Sequence, residues 1–423
     1  SRHARISALL SRASSHLELA NAYKALDDVA RLLQLDPQSQ QGLKLKVEIL
    51  LQLEEHKEAQ AILAGLLKSR PNDHELGALQ AALLAIIDET EVERALTALE
   101  ALAKRAPKSF VVHYYLAATH VLASNHSRGL AAYATAARLA PYSVRPWVGL
   151  CVAEAANGAF EAAIAACDRA MKSAPASPTA AATRGLVHEL NENYAAAYAD
   201  YTASLLLLDH RHDSILRKRA SMALKLERFD VAIEDLSEVI TKVGDDASLF
   251  AQRSLSYLAV GRHSEAIADA TRVIALDPDG AVGYALRGSG HYRLRDHAAA
   301  RSDLEQAFRL DPGLDPVPLM LVDALINLGE HRQSMEVLNT ALGRSPNDVR
   351  FIRLRAYVHH SLKEYDKALL DWDKALWADP ADANTWSDRG STHEAMDNCA
   401  KALLDFDKAL RIDDKLVNAL RGR

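Results

Sequence analysis

YALRGSGHYRLRDHAAARSDLEQAFRLDP (284 to 312) and YDKALLDWDKALWADP (365 to 380) decide the fold. Both are rich in Ala and Leu, set their large apolar residues three and four positions apart, and stop at a proline. That spacing lays one apolar stripe along a helix. Proline, which has no amide hydrogen, ends one helix and begins the next connection. The same punctuation recurs at Pro37, Pro71, Pro107, Pro141, Pro175, His210, Gly244, Pro278, Pro312, Pro346, Pro380 and Asp414, 34 residues apart nearly everywhere. A fixed period of this length is the mark of stacked supersecondary units, each too small to bury its apolar face alone.

With slot 1 placed at Ile6, twelve units begin at Ile6, Gln40, His74, Phe110, Val144, Pro178, Asp213, Ala247, Ala281, Asp315, Val349 and Ala383. The third has 36 residues, with its insertion at DETE (88 to 91), and the sixth has 35, with one residue more near NENY (191 to 194). A continuous array is expected over 1 to 416, and 417 to 423 opens a cut thirteenth unit or a capping helix of a longer parent chain. Slot 8 is small (Ala13, Gly185, Gly288, Gly390) and slot 20 is mostly Ala (Ala25, Ala163, Ala300, Ala402), which lets two helices approach closely. Slots 4, 11, 17, 24 and 28 carry larger groups such as Trp147, Tyr257, Tyr365, Trp372 and Phe406. Each unit therefore reads as a helix-turn-helix hairpin.

In this slot pattern, with an aromatic at 4, Gly or Ala at 8, an aromatic at 11, Ala at 20, an aromatic at 24, Ala at 27 and Pro at 32, the chain resembles the tetratricopeptide repeat family over essentially all of 6 to 416. Repeats 1 to 4 match more loosely than the two stretches quoted above. The resemblance implies an all-α, right-handed superhelical solenoid of antiparallel hairpins, with the first helix of each hairpin lining the concave surface. It also implies a scaffold or adaptor that binds helical or extended segments of other proteins, with no catalysis and no cofactor.

Composition agrees with that class. Hydrophobic residues make up 49% and aromatics 6%, as in close-packed helices. A net charge of -6 and a pI near 6.3 argue against nucleic acid as the main partner. No apolar run reaches the roughly 18 residues that span a bilayer. Cys151, Cys167 and Cys399 form no Cys-x-x-Cys pair, which points to a reducing, cytoplasmic setting. Cys151 and Cys167 occupy slots 8 and 24 of one repeat; core packing is the expectation there, with a face-to-face approach across the hairpin as the alternative.

Residue types that usually carry chemistry fall on packing slots. Eleven of the seventeen histidines sit at slot 11 (His16, His120, His188, His291, His359, His393) or slot 17 (His56, His126, His263, His297, His331), and none has metal-site spacing. No GxSxG, P-loop, HExxH or Rossmann glycine pattern appears. Arg at slot 7 and Asp at slot 23 occur together or not at all. The pairs are Arg12 with Asp28, Arg184 with Asp200, Arg219 with Asp235, Arg253 with Asp269, Arg287 with Asp303, Arg355 with Asp371, and Arg389 with Asp405. The other five repeats hold neither, for example Leu150 with Ala166 and Leu321 with Val337. Loss of one partner would strand a half-buried charge, whereas loss of both costs little, so each pair is expected to close within its hairpin.

Slots 2, 5, 9, 12 and 13 of the first helices are left for recognition. In repeats 3 to 6 they offer a small, apolar trough of Ala78, Ala82, Tyr114, Ala118, Val121, Val148, Val152, Ala155, Leu186 and Leu190, suited to an amphipathic helix or an extended apolar segment. In repeats 7 to 11 they turn basic and aromatic: Arg217 and Lys225, then Tyr292 and Arg293, then Arg350, Arg353, Tyr357 and His360. An acidic-aromatic segment is the expected partner toward repeats 9 to 11. Slot 6 holds no Asn, which removes support for carboxylate-clamp chaperone binding and for an Asn ladder of the glycosyltransferase type. The rival readings are the recruiting arm of an enzyme whose catalytic domain lies outside this chain, and an architectural part of a cytoskeletal or ciliary assembly.

Overall fold

A computed structural model describes residues 2–18, 21–208 and 212–423. Among them are twenty-five α-helices, one short 3-10 turn at Glu89–Glu91 and no strand. First helices begin at Gln40, His74, Phe110, Pro178, Asp213, Ala247, Ala281, Val349 and Ala383, with Arg145 and Val317 starting one and two residues later than counted. A last helix, Val417–Gly422, follows. The chain is an all-α repeat solenoid. Its contacts divide it into two units, Ser1–Arg228 and Phe229–Arg423, and the boundary falls inside the seventh repeat. His210, one of the boundary markers of the period, lies outside the described residues.

Local chemistry fixes where the helices start and stop. The residue before slot 1 is repeatedly Ser or Asp. Ser39, Asp73, Ser109, Ser177, Asp246, Asp348 and Asp382 each accept a backbone N–H of the first helical turn, one of the donors a helix cannot satisfy by itself. The hairpin turn is equally regular. Slot 15 takes positive φ at Glu54, Ser124, Gly158, Glu192, Glu227, Gly261, Arg295, Gly329, Lys363 and Asp397. The next amide then donates to the carbonyl of slot 11, as from Asn125 to His120 at 2.8 Å and from Glu364 to His359 at 2.8 Å. This is the closing bond of a Schellman turn.

The turn corrects one count. Glu192 has its positive φ at slot 15 and the second helix, Tyr194–Leu207, starts on schedule at slot 17. The residue that lengthens the sixth repeat therefore falls between Leu207 and Asp213, not near 191 to 194. The insertion in the third repeat does lie at 88 to 91, where the 3-10 turn absorbs it.

Within each hairpin the small slot 8 faces the large slot 24. A Cβ placed on Gly288 would stand 2.8 Å from Leu304, and one on Gly390 would stand 2.8 Å from Phe406. Leu304, Phe406 and Trp372 are buried to 2% exposure or less, each worth roughly 2 to 3 kcal/mol against an exposed side chain. In the first unit the largest core runs from Val47 to Ala153 through Leu76, Leu79, Val112 and Tyr115. In the second it centres on Leu304, Leu321, Leu338 and Val358.

Gly329 tests the turn in isolation, because no atom lies within 4 Å of where its Cβ would stand. Gly329→Val should lower stability by about 1–2 kcal/mol through the backbone alone, and Lys363→Gly should raise it by up to about 1 kcal/mol. Urea denaturation of the two variants measures both signs.

Candidate partner-binding surfaces

The slot-7 arginines are held inside the hairpins. Their Nε atoms lie 2.6 to 2.9 Å from the slot-23 carboxylates in the pairs Arg12 with Asp28, Arg184 with Asp200, Arg253 with Asp269, Arg287 with Asp303, Arg355 with Asp371 and Arg389 with Asp405. A second bond from Nη2 makes each fork bidentate. Arg219 and Asp235 belong to different units. The aspartates are almost fully buried, and the arginines keep partial access to water. Hydrogen bonding to Arg12 holds the Asp28 carboxyl below the usual carboxylate range. That clamp is therefore complete at neutral pH, and its contribution is lost as pH falls through the lowered value.

Three of these arginines also reach backward. Arg184 Nη1 donates to Asp168 at 2.7 Å, Arg389 Nη1 to Asp373 at 2.5 Å, and Arg253 Nη1 to the Ser237 hydroxyl at 3.0 Å. Asp168, Ser237 and Asp373 all occupy slot 25 of the preceding repeat. The clamp thus joins neighbouring hairpins as well as the two helices of one. The slot-11 imidazoles of His16 and His188 stand 3.9 Å from the same aspartates. Among the described residues no three His, Cys, Asp or Glu side chains gather as a metal site.

The expected trough of the first unit is partly filled by the fold itself. Ala78 and Ala82 are buried in the core, and Ala155 nearly so. Tyr114 and Val148 line a chamber of about 640 Å³ with Tyr23, Leu53, Pro178 and Ile215. Leu186 is half-buried and outside that lining, while Val152 and Leu190 are exposed. The wall is not purely apolar. Arg145, with a side chain 2% exposed, donates from Nη1 to Glu48 at 3.0 Å and lies over the Tyr114 ring at 4.5 Å and the Phe110 ring at 5.4 Å. Tyr23 meets His212 with ring centroids 5.1 Å apart, which brings the first repeat against the start of the seventh. Arg145 and Glu48 occupy recognition slots 2 and 9, but their partnership across 97 residues has no signature in the period. Arg217 is half-buried, and Lys225 is exposed with its ammonium 5.8 Å from the Tyr194 ring.

In the second unit the expected cations meet carboxylates of the chain itself. Arg350 bonds Asp348 at 2.8 Å and Arg353 pairs with Asp382 at 2.8 Å. The Tyr292 hydroxyl donates to Asp323 at 2.6 Å. His360 lies 3.0 Å from the Thr392 hydroxyl and edge-on to Tyr365. Arg293 and Tyr357 are exposed. Asp388, between Arg353 and Asp382 in influence, has its carboxyl pushed up to about 6, chiefly by burial. The surface therefore carries both signs instead of a basic stripe, because Arg350 and Arg353 are each met by an acid of their own or an adjoining repeat.

Cys151 and Cys167 correct the packing expectation: they are joined as a disulfide, with Cα atoms 5.3 Å apart and both residues fully buried. Slots 8 and 24 face each other in every hairpin, so two cysteines placed there meet. Thiol usage accordingly no longer argues for a reducing compartment. Among the described residues no helix is long and apolar enough to cross a membrane. Unfolding in denaturant without reductant should expose one titratable thiol, that of Cys399; a count of three would show the pair to be open.

The tetratricopeptide-repeat family profile matches residues 217–281, 251–315 and 292–357. No curated protein matches the chain in sequence. Among solved structures, YrrB, described as a TPR protein with an unusual peptide-binding site, is 22% identical over 44% of this chain and 96% of its own, with a TM-score of 0.41. The C-terminal part of a TPR repeat-containing protein from Cytophaga hutchinsonii is 18% identical over 56% and 97%, with a TM-score of 0.47. MamA from Desulfovibrio magneticus is 18% identical over 41% and 98%, with a TM-score of 0.39. Matches to that profile span residues 217–357, and the same kind of hairpin recurs along both units, so the chain carries tetratricopeptide repeats within an all-α repeat solenoid.

Proposed function

We propose that this chain is a non-catalytic scaffold that holds segments of partner proteins on the inner faces of its two units. The observation that carries the reading is the chamber of the first unit, about 640 Å³ and lined by Tyr114, Val148, Tyr23 and Ile215. An extended segment advances about 3.3 Å per residue, and a cavity of that size holds roughly four residues. Arg145, which lines it, is already paired with Glu48, so the chamber suits an uncharged, apolar segment.

On the second unit, an acidic-aromatic segment would meet Asp323 and Asp382 beside Arg350 and Arg353. A segment bearing both signs suits that surface better, with exposed Tyr357 as an aromatic anchor. Affinity spread over both units would exceed that of either alone by effective concentration.

Selection of displayed peptides against the whole chain supplies the probes for a test. Peptides bound in the chamber should lose roughly tenfold or more in affinity to Val148→Glu. Peptides bound on the second unit should lose as much to the combined Arg353→Glu and Tyr357→Ala change. Peptides whose affinity ignores both variants would contradict the proposal.

A further inference from the structure

The outward faces of the last two hairpins carry a feature that no other repeat has. Slot 22 lies on the outside of the second helix. In ten repeats it is alanine, serine, threonine or an acid, whereas repeats 11 and 12 place Leu370 and Leu404 there. Both are well exposed, at 62% and 66%, and Trp377 nearby is exposed at 88%. Lys367, Leu370, Lys374 and Trp377 follow one another at three, four and three residues along Tyr365–Ala378, so they share one helix face. Lys401, Leu404, Lys408 and Arg411 repeat the spacing on Cys399–Ile412.

On the first of these helices Lys367 pairs with Glu364 at 3.2 Å and Lys374 with Asp371 at 3.5 Å, whereas on the second Lys401 and Arg411 enter no ion pair among the described residues and Lys408 lies over the Trp386 ring. Asp371 is held by Arg355, Asp373 and Asp405 by Arg389, and Asp407 by Arg423. Asp366 remains, in the first turn, where the helix dipole favours it. Since Arg389 bonds carboxylates on both helices, it ties the two stripes side by side. A cleft of about 320 Å³ runs along the second stripe, with Leu404, Lys401 and Lys408 at its sides and Arg389 and His393 beneath.

We propose that this outer face of repeats 11 and 12 docks an acidic amphipathic helix of another protein, its apolar ridge on Leu370, Trp377 and Leu404 and its carboxylates toward Lys401, Lys408 and Arg411 along the cleft. Charge selects this occupant. A second copy of the chain would bring the same cations face to face. A lipid plane would bridge the cleft, which the side chains of a helix ridge fill. The face lies on second helices, apart from the inner surfaces assigned above, so the two proposals stand or fall separately.

The test uses the whole chain with a synthetic acidic amphipathic helix of about 18 residues, its charge-reversed counterpart, and vesicles of mixed phosphatidylserine and phosphatidylcholine. Fluorescence anisotropy should show saturable binding of the acidic helix that weakens at high salt. Trp377→Glu with Leu404→Glu should weaken it roughly tenfold or more, with helicity unchanged by circular dichroism, and the exposed-site control Tyr142→Ala should leave it intact. No binding of the acidic helix, equal binding of the reversed one, preferential partition onto vesicles, or self-association abolished by the double variant would each overturn the proposal.

Discussion

The structure depends on how closely the two helices of one hairpin can approach. Slot 8 must be small because slot 24 is large: Gly185 faces Tyr201, Gly288 faces Leu304 and Gly390 faces Phe406. From that contact the rest follows. It fixes the crossing of the pair, brings slot 7 against slot 23, and presents a common edge to the next hairpin. The fifth repeat satisfies the same geometry with Cys151 and Cys167, whose cross-link stands beside Leu150 and Ala166 where other repeats place an Arg and an Asp. Its surrounding core sets Ala155, Ala163 and Ala166 against Val187, Leu150, Phe160 and Ile164, and the covalent link adds to that packing.

The arginine clamps extend the constraint from one hairpin to its neighbour. A bidentate fork satisfies a carboxylate that burial would otherwise penalise, and the remaining Nη1 is free to reach the previous second helix. Repeat arrays gain stability from such nearest-neighbour terms. With these arginines committed between helices, the proposed recognition would fall to the side chains left outside: Tyr114 and Val148 in the first unit, Tyr357 and its charged neighbours in the second.

Much of this was legible in the sequence because the period repeats the same chemistry twelve times. Proline and small-residue slots located the first helices of repeats 2 to 12 to within two residues, while the first helix of the chain begins at Arg2, four residues before the counted Ile6, and the joint presence of Arg and Asp named the clamp partners. The period could not show what depends on more than one repeat. The Asp168 and Asp373 contacts of the clamps belong to the preceding unit of the count. The Arg145 and Glu48 pair needs the curvature of the whole first unit. Counting first-helix cations alone made the later surface look basic, when Asp348, the cap of the helix that carries Arg350, and Asp382, the cap of the next first helix, supply the opposing charge. Those caps carry a readable signal, a Ser or Asp just before slot 1.

The all-or-none behaviour of the clamp is the claim on which the slot geometry stands. Denaturation of Arg287→Leu, Asp303→Val and the double variant, which imitates Leu321 with Val337 of the tenth repeat, tests it most directly. Each single change should cost about 2–4 kcal/mol and the double change less than about 1 kcal/mol. A double variant that loses the sum of the two single costs would contradict the account.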